Sequence, residues 1–508
     1  MTIGRTWAVV LVGLVGHLIE VEADQSNRVP GFSIIGLPDK ALGEAQQRVH
    51  NACANCDLDL PRRHVTVNLS PASLPKTGSG LDVAIAVAAL ATERALDPES
   101  LARTVHIGEL GLDGRLRPVP GVLPAALAAV RAGFRRVIVP HANVDEASLV
   151  DGLEVRGAVS LRDVVRAHGL EVEDVPLEPV AGRAAQSAAP VAVPDLRDVI
   201  GQRDAVDALI VAAAGRHHIL MSGPPGAGKT MLARRLPGIL PELDDEAALQ
   251  VASIRSLLGV PVDVLDRTPP FEAPHHTASA ASLVGGGSRT VRPGAIARAS
   301  GGVLFLDEAG EFGSAALESL REPLEAGEIE IHRAGFRARF PARFQLVLAT
   351  NPCPCGNYGV PGGDCVCPSL AIRRYLGKLS GPLVDRIDIE LALQRVSATI
   401  DREGTAMTSA DARDAVLGAR QRARRRLRGT PWATNGEVDG AWLRSGAQRV
   451  DAAVTRPLDA ALQRGALTLR GYDRVLRLSW TLADLAGRDR PESQDIGRAL
   501  FLKRGVRV

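Results

Sequence analysis

Gly223-Pro224-Pro225-Gly226-Ala227-Gly228-Lys229-Thr230, preceded by the apolar run Ile219-Leu220-Met221, decides the fold. It meets every fixed position of the G-x-x-x-x-G-K-[ST] phosphate loop, and the apolar run supplies the strand expected before it. Glycines let backbone N–H groups turn inward around phosphate oxygens, and the helix that follows adds the positive end of its dipole. Lys229 can then reach β- and γ-phosphates, while Thr230 offers its hydroxyl to Mg²⁺. The reading predicts an α/β core that binds ATP with Mg²⁺. Its rival is a fortuitous strand-to-helix glycine turn.

Two later strands extend the same argument. Val303-Leu304-Phe305-Leu306 runs into Asp307-Glu308, placing two carboxylates at the end of a buried strand. An acid at the C-terminal end of a parallel strand lies at the crevice where α/β sheets bind ligands. Asp307 is expected to hold Mg²⁺ through water, and Glu308 to polarise the attacking water as general base. Gln345-Leu346-Val347-Leu348-Ala349-Thr350 ends at Asn351, whose amide can orient that water without adding charge.

Bulk properties limit the alternatives. The 508 residues suggest about three domains. Lys+Arg 60 against Asp+Glu 58 leaves a net charge of +2, so any nucleic-acid contact must come from local patches. Aromatics at 3% argue against a binder dominated by base stacking. Trp7 to Ile19 is apolar but shorter than the ~20 residues of a membrane span, and no A-x-A-like cleavage site follows. Ile19, Val21 and Ala23 alternate with Glu20 and Glu22, the pattern of a half-buried strand. These features predict a cytoplasmic protein without membrane contact.

Organisation follows from composition shifts. Val175 to Pro194 scatters four prolines among Ala, Gly and Ser, a linker signature. The expected division is an α/β domain over 1–175, a linker over 176–194, a nucleotide-binding core over 195–395 and a helical lid over 396–508. Within the first, strands are expected at Val65 to Leu69 and Arg136 to Val139, with helices at Leu81 to Leu90 and Pro124 to Ala132. Arg413 to Arg428 is Arg-rich, and reads either as a solvated lid helix or as a DNA contact.

The six cysteines fall in two groups, which suits a reducing compartment. Cys353, Cys355, Cys365 and Cys367 lie within fifteen positions, directly after Asn351. Four thiolates suit tetrahedral structural Zn²⁺, although C-x-C is tighter than the usual spacing. A redox switch and an unligated loop remain open alternatives. Cys53 and Cys56 read as small buried residues on one helix face.

Phosphate loop, Asp-Glu strand and Asn-ended strand, in this order, resemble the AAA+ ATPases. Within that class, two insertions resemble the magnesium-chelatase and MCM-helicase branch. One runs from Pro274-His275-His276-Thr277 to Arg292-Pro293-Gly294. The other, Glu328 to Phe340, alternates around Ala334-Gly335 as a hairpin does. Gly381-Pro382-Leu383-Val384-Asp385-Arg386 resembles the box that carries the arginine finger. The resemblance implies that Arg386 reaches a neighbouring subunit's γ-phosphate, so that the site belongs to a ring. Thr468-Leu469-Arg470 resembles the second sensor, with Arg470 on the phosphates and Arg474 as the alternative.

Gly31-Phe32-Ser33-Ile34-Ile35-Gly36-Leu37-Pro38-Asp39, with Val67 to Lys76, closely resembles the start of the YifB/ComM family along essentially the whole chain. The implied fold is a P-loop AAA+ core with helical lid, preceded by a Lon-protease-like α/β domain. Aligned on Lon, Gly80 takes the nucleophile's place and Leu123 the lysine's. Ser79, one position away, has no evident base, so the domain reads as a non-catalytic scaffold. The resemblance implies a homo-oligomeric, hexameric ATPase motor acting on DNA as a helicase in branch migration. His332, Arg333, Arg337 and Arg339 of the hairpin would meet DNA phosphates in a pore. A protein-remodelling chaperone, a magnesium-chelatase-type motor subunit and an ATP-dependent protease are the rivals.

Overall fold

The computed structural model describes residues 3–36, 39–74, 76, 80–182, 193–287, 291–333, 336–360, 363–379, 381–395, 407–504 and 506–507. Ser79, residues 183–192 of the expected linker and the Ala334-Gly335 turn lie outside them, as does the side chain of Arg333.

Alternation of apolar and polar residues builds the first sheet. β1 (Gly4–Val12) and β2 (Val15–Ser26) form an antiparallel hairpin, which accounts for the apolar Trp7 to Ile19 segment. Ile19, Val21 and Ala23 are fully buried. Among the described residues no helix is long and apolar enough to cross a membrane. β3 (Gly31–Ile35), β4 (His64–Ser70), β5 (Thr104–His106), β6 (Arg136–Pro140) and β7 (Glu154–Ala158) complete a mixed sheet in the order β3-β4-β2-β1-β5-β6-β7.

Helices α1 (Asp39–Asn55), α2 (Asp82–Leu90) and α3 (Val122–Arg131) pack on this sheet. Every residue of α2 is buried, as expected of a helix that is apolar all round. Its one charge, Asp82, meets Arg48 of α1 at 2.6 and 3.1 Å. Burial raises the Asp82 carboxyl to about 6, against the opposing pull of Arg48. Leu123, the residue the sequence alignment sets in the lysine's place, is a fully buried apolar residue of α3.

The core sheet is wholly parallel. Its strands are β8 (Ile219–Ser222), β9 (Phe271–Glu272) and β10 (Val303–Leu306), then, after the hairpin of β11 (Glu328–Arg333) and β12 (Phe336–Pro341), β13 (Gln345–Thr350), β14 (Ile389–Ala392) and β15 (Val506–Arg507). Their order is β9-β10-β13-β8-β14-β15. β10 and β13 are buried at every position, which matches their unbroken apolar runs in a sheet covered on both faces. α4 (Arg203–Gly215) precedes the phosphate loop, and α5 (Lys229–Ala233) and α6 (Asp245–Leu257) follow it. α7 (Ser369–Leu376) leads toward β14.

The lid contains α8 (Ser409–Arg426), α9 (Leu469–Leu485) and α10 (Ser493–Arg504). The Arg-rich helix α8 is neither simply solvated nor a free cationic face. Arg413 donates to the Gly238 carbonyl and Arg420 to the Ala213 carbonyl, both at 2.6 Å at their closest. Arg426 forms two 2.6 Å bonds to Asp484 and lies 4.3 Å from the Trp480 ring centre. Arg413 and Arg420 thus cap backbone carbonyls of the core and fix the lid to it, while Arg426 ties α8 to α9, leaving Arg424, Arg425 and Arg428 exposed.

The first sheet is docked on the core at two places. Leu123 and Ala126 of α3 pack with Ala252 of α6 and Val262. The β1–β2 turn, through Val12 and Leu14, packs with Ala338 and Phe340 of the hairpin. Gly13 there has φ +65°, and a Cβ would stand 2.8 Å from the Arg339 carbonyl oxygen.

Candidate nucleotide site and cysteine cluster

The C-terminal ends of β8, β10 and β13 bring the sequence-predicted residues together. Gly226 and Gly228 take φ +80° and +85°, conformations that glycine enters without Cβ conflict. A Cβ on Gly226 would meet nothing within 4 Å, so the loop is open on that side. Gly223 passes so close to Leu393 that a Cβ would stand 2.5 Å from its carbonyl oxygen. The Lys229 amine donates to the carbonyls of Gly223 and Pro224 at 2.6 and 3.0 Å, and to Asn351 Oδ1 at 3.0 Å. Burial pulls its ammonium below the ordinary value, while Asp307 and Glu308 oppose that shift.

Thr230 Oγ1 donates to Asp307 Oδ2 at 2.6 Å. Two hard oxygen donors side by side, next to an open phosphate loop, suit Mg²⁺. Glu308 sits in the left-handed region at φ 52°, ψ 46°. Its carboxylate lies half-exposed, 3.0 Å from His276 Nδ1.

Several neighbours carry no motif of their own. Gln202 Nε2 donates to the Ala227 carbonyl at 2.7 Å and props the loop from α4's N-terminal side. Tyr375 of α7 lies against Gly310, where a Cβ would be 2.4 Å from the ring carbon Cζ. His276 belongs to an insertion readable as such, but nothing in the sequence pairs it with Glu308.

The arginines are placed differently. Arg386 is 8% exposed and turned inward, bonded to the Pro382 carbonyl at 2.6 Å and paired with Glu325. Arg470 is exposed on the first turn of α9. Arg474 is committed elsewhere: it bonds to the Asp385 carbonyl at 2.6 Å and to Asp388 Oδ1 at 2.5 Å. Burial would raise the Asp388 carboxyl, but Arg474 and His217 outweigh it and hold the group well below the usual carboxylate range.

On the hairpin, His332 opposes Arg337 and Glu330 opposes Arg339. His332, Arg337 and Arg339 are exposed, and all three lie within 3.8 Å of the Glu330 carboxylate. One acid therefore offsets part of the hairpin's charge. A separate cavity of 560 Å³ lies at the opposite ends of the core strands, beside Gln345, Arg343 and Arg420, and shares no residue with the phosphate loop.

The four cysteines of the second group converge. Cys353 Sγ is 3.4 Å from Cys355 Sγ and 3.7 Å from Cys365 Sγ, and all four sulfurs lie within 4.8 Å of one another. A Zn–S bond of about 2.3 Å puts tetrahedral sulfurs about 3.8 Å apart, so the set fits one such ion. The Tyr358 N–H donates to Cys353 Sγ at 3.3 Å, the kind of outer contact that orients a thiolate ligand. Cys53 and Cys56, by contrast, are buried at the end of α1, and burial pushes both thiols up.

Family profiles match three stretches of the chain. "Magnesium chelatase, subunit ChlI" covers 195–400, "Subunit ChlI of Mg-chelatase" covers 21–143, and "Magnesium chelatase, subunit ChlI C-terminal" covers 406–503. An uncharacterised protein of Mycobacterium tuberculosis is 47% identical over 516 residues, covering 100% of both chains. The competence protein ComM of Haemophilus influenzae is 40% identical over 516 residues, covering 100% of this chain and 99% of its own. YifB of Escherichia coli is 38% identical over 474 residues, 92% of this chain and 90% of its own. A Lon protease of Mycolicibacterium smegmatis matches 32% of this chain at 27% identity. The architecture is thus an AAA+ core with helical lid, preceded by a Lon-like α/β domain. Coverage of 92–100% of this chain at 38–47% identity, with chelatase-type profiles over core and lid, means that it belongs to the YifB/ComM family of magnesium-chelatase-like AAA+ proteins.

Proposed function

We propose that this chain is one protomer of an ATP-driven ring motor acting on DNA, a helicase that promotes branch migration in recombination or natural transformation. The observation that carries the reading is the meeting of Lys229, Thr230, Asp307, Glu308 and Asn351 at one end of a parallel sheet. Lys229 leaves its loop carbonyls to take the β- and γ-phosphates. Thr230 and Asp307 hold Mg²⁺, which supplies charge neutralisation on the phosphates when bound. Glu308 accepts the proton of the attacking water, and Asn351 orients that water.

Arg386 acts in trans on a neighbour's γ-phosphate once it leaves Glu325, and Arg470 contacts the phosphates from the lid. Such a division makes turnover a property of the ring, which family likeness suggests is a hexamer. His332, Arg333, Arg337 and Arg339 would meet DNA phosphates, where counterion release favours contact. One relative is named a competence protein, which fits DNA as the polymer moved. Cys353, Cys355, Cys365 and Cys367 hold one structural Zn²⁺. Six unpaired cysteines fit a cytoplasmic setting. The Lon-like domain, with Leu123 buried at the lysine position, serves as a scaffold.

ATP hydrolysis measured with and without single-stranded DNA tests the reading. Strong stimulation by DNA is expected. No response to DNA together with stimulation by unfolded protein would instead favour the chaperone.

A further inference from the structure

The cysteine loop touches the nucleotide site at three places. Its first ligand, Cys353, stands two residues after Asn351, whose amide oxygen accepts from Lys229 at 3.0 Å. Its turn at Gly356 has φ +79°, and a Cβ there would come 2.4 Å from Cδ of Pro225, a residue of the phosphate loop. Its last ligand, Cys367, is followed by Pro368, the N-cap of α7, and in the last turn of α7 Tyr375 presses on Gly310, two residues past Glu308. Pro225 is also held by Arg395, whose Nε donates to its carbonyl at 3.1 Å.

We propose that the four-thiolate site binds one tetrahedral soft divalent ion of the zinc class, and that this ion braces the phosphate loop and the end of β13 for nucleotide binding. A loop of irregular backbone has few contacts to fix its shape, and one ion bound to four sulfurs closes it at 353, 355, 365 and 367 together. Fixing that shape presents Gly356 as a flat surface to Pro225. It also holds Asn351 in line with Lys229. The sulfur separations suit a single ion, with no room among them for iron and sulfide. Cys353, Cys355, Cys365 and Cys367 are therefore ligands, whereas Gly356 is a positioning residue that acts through Pro225.

The inference rests on the ATP-binding reading, and its test separates the two. Metal content is measured by atomic emission on the purified full chain. Affinity for a fluorescent ATP analogue with Mg²⁺ is measured by titration. The wild type is expected to carry one zinc per chain. Cys355→Ser/Cys365→Ser should lose the metal and bind the analogue roughly tenfold more weakly, with the far-ultraviolet circular dichroism retained. Gly356→Ala, strained at a left-handed position and clashing with Pro225, should keep the metal yet lose affinity by a similar, roughly tenfold, factor. Wild-type affinity in Gly356→Ala, or in a folded metal-free cysteine variant, would overturn the brace, as would a wild type that neither carries nor takes up zinc. If the cysteine variants do not fold, Gly356→Ala with its measured zinc content decides. A wild type that binds no nucleotide at all would remove the ATP-binding reading itself.

Discussion

Glu308 stands in the left-handed region, which costs an L-residue with a side chain about 1–2 kcal/mol. Strain of this kind at the proposed general base is held by its surroundings, here by His276 at 3.0 Å and by its own amide on Asp307 Oδ1 at 2.9 Å. Glu308→Gly should therefore melt higher than the wild type while hydrolysis is lost. Glu308→Gln should keep nucleotide affinity and lower turnover by roughly 10²–10⁴-fold, the usual contribution of a general base. Phosphate release beside a binding titration reads both, and normal turnover in Glu308→Gln would remove the base assignment. Lys229→Ala should instead weaken binding itself, since its amine lies within the loop, held by the Gly223 and Pro224 carbonyls where the phosphates would enter.

At the scale of elements, the hairpin and the lid helix show how charge is divided. Arg337 and Arg339 share Glu330 but keep their side chains exposed. Replacing both by alanine should reduce the slope of log affinity against log salt for duplex DNA by about 2. An unchanged slope would take the hairpin out of DNA binding. Phe340, on the opposite face and 1% exposed, anchors the hairpin; Phe340→Ala should cost about 3–5 kcal/mol in thermal unfolding. The strands and the phosphate loop were legible because fixed residue types at fixed spacing produce them. β10, β13 and α2 could be read from apolar runs alone. The lid arginines could not, because a run of positive charge looks the same whether it faces water or caps Gly238 and Ala213. Likewise His276, Gln202, Glu325 and Gly356 act across large gaps in the chain, where no local pattern records the partner.

For the whole molecule, the lid is tied to the core through Arg474 and Asp388, a pair in which Asp388 is 2% exposed. Asp388→Asn leaves a buried guanidinium without its counter-charge and should cost about 3–5 kcal/mol. The folded carboxyl is depressed, so this contribution is fully present above the unfolded value of about 3.9. It is lost only as pH falls through the lower folded value. Thermal unfolding of wild type and variant between pH 7 and pH 5 should thus differ by a constant amount. Arg386 belongs to the same scale. Arg386→Ala should abolish turnover alone yet recover in mixed rings whose other subunits keep their arginine, and failure of that rescue would count against a shared site.

The clasp between the β1–β2 turn and strand β12 has a mechanical consequence. Gly13 lets the turn lie flat against the Arg339 carbonyl, where a Cβ would stand 2.8 Å from the oxygen, and Val12 and Leu14 beside it grip Ala338 and Phe340, so a stroke of the hairpin is expected to draw the amino-terminal sheet along with it. Dye pairs spanning that sheet and the lid would then register every cycle of the motor as a tilt, far from the fuel that drives it.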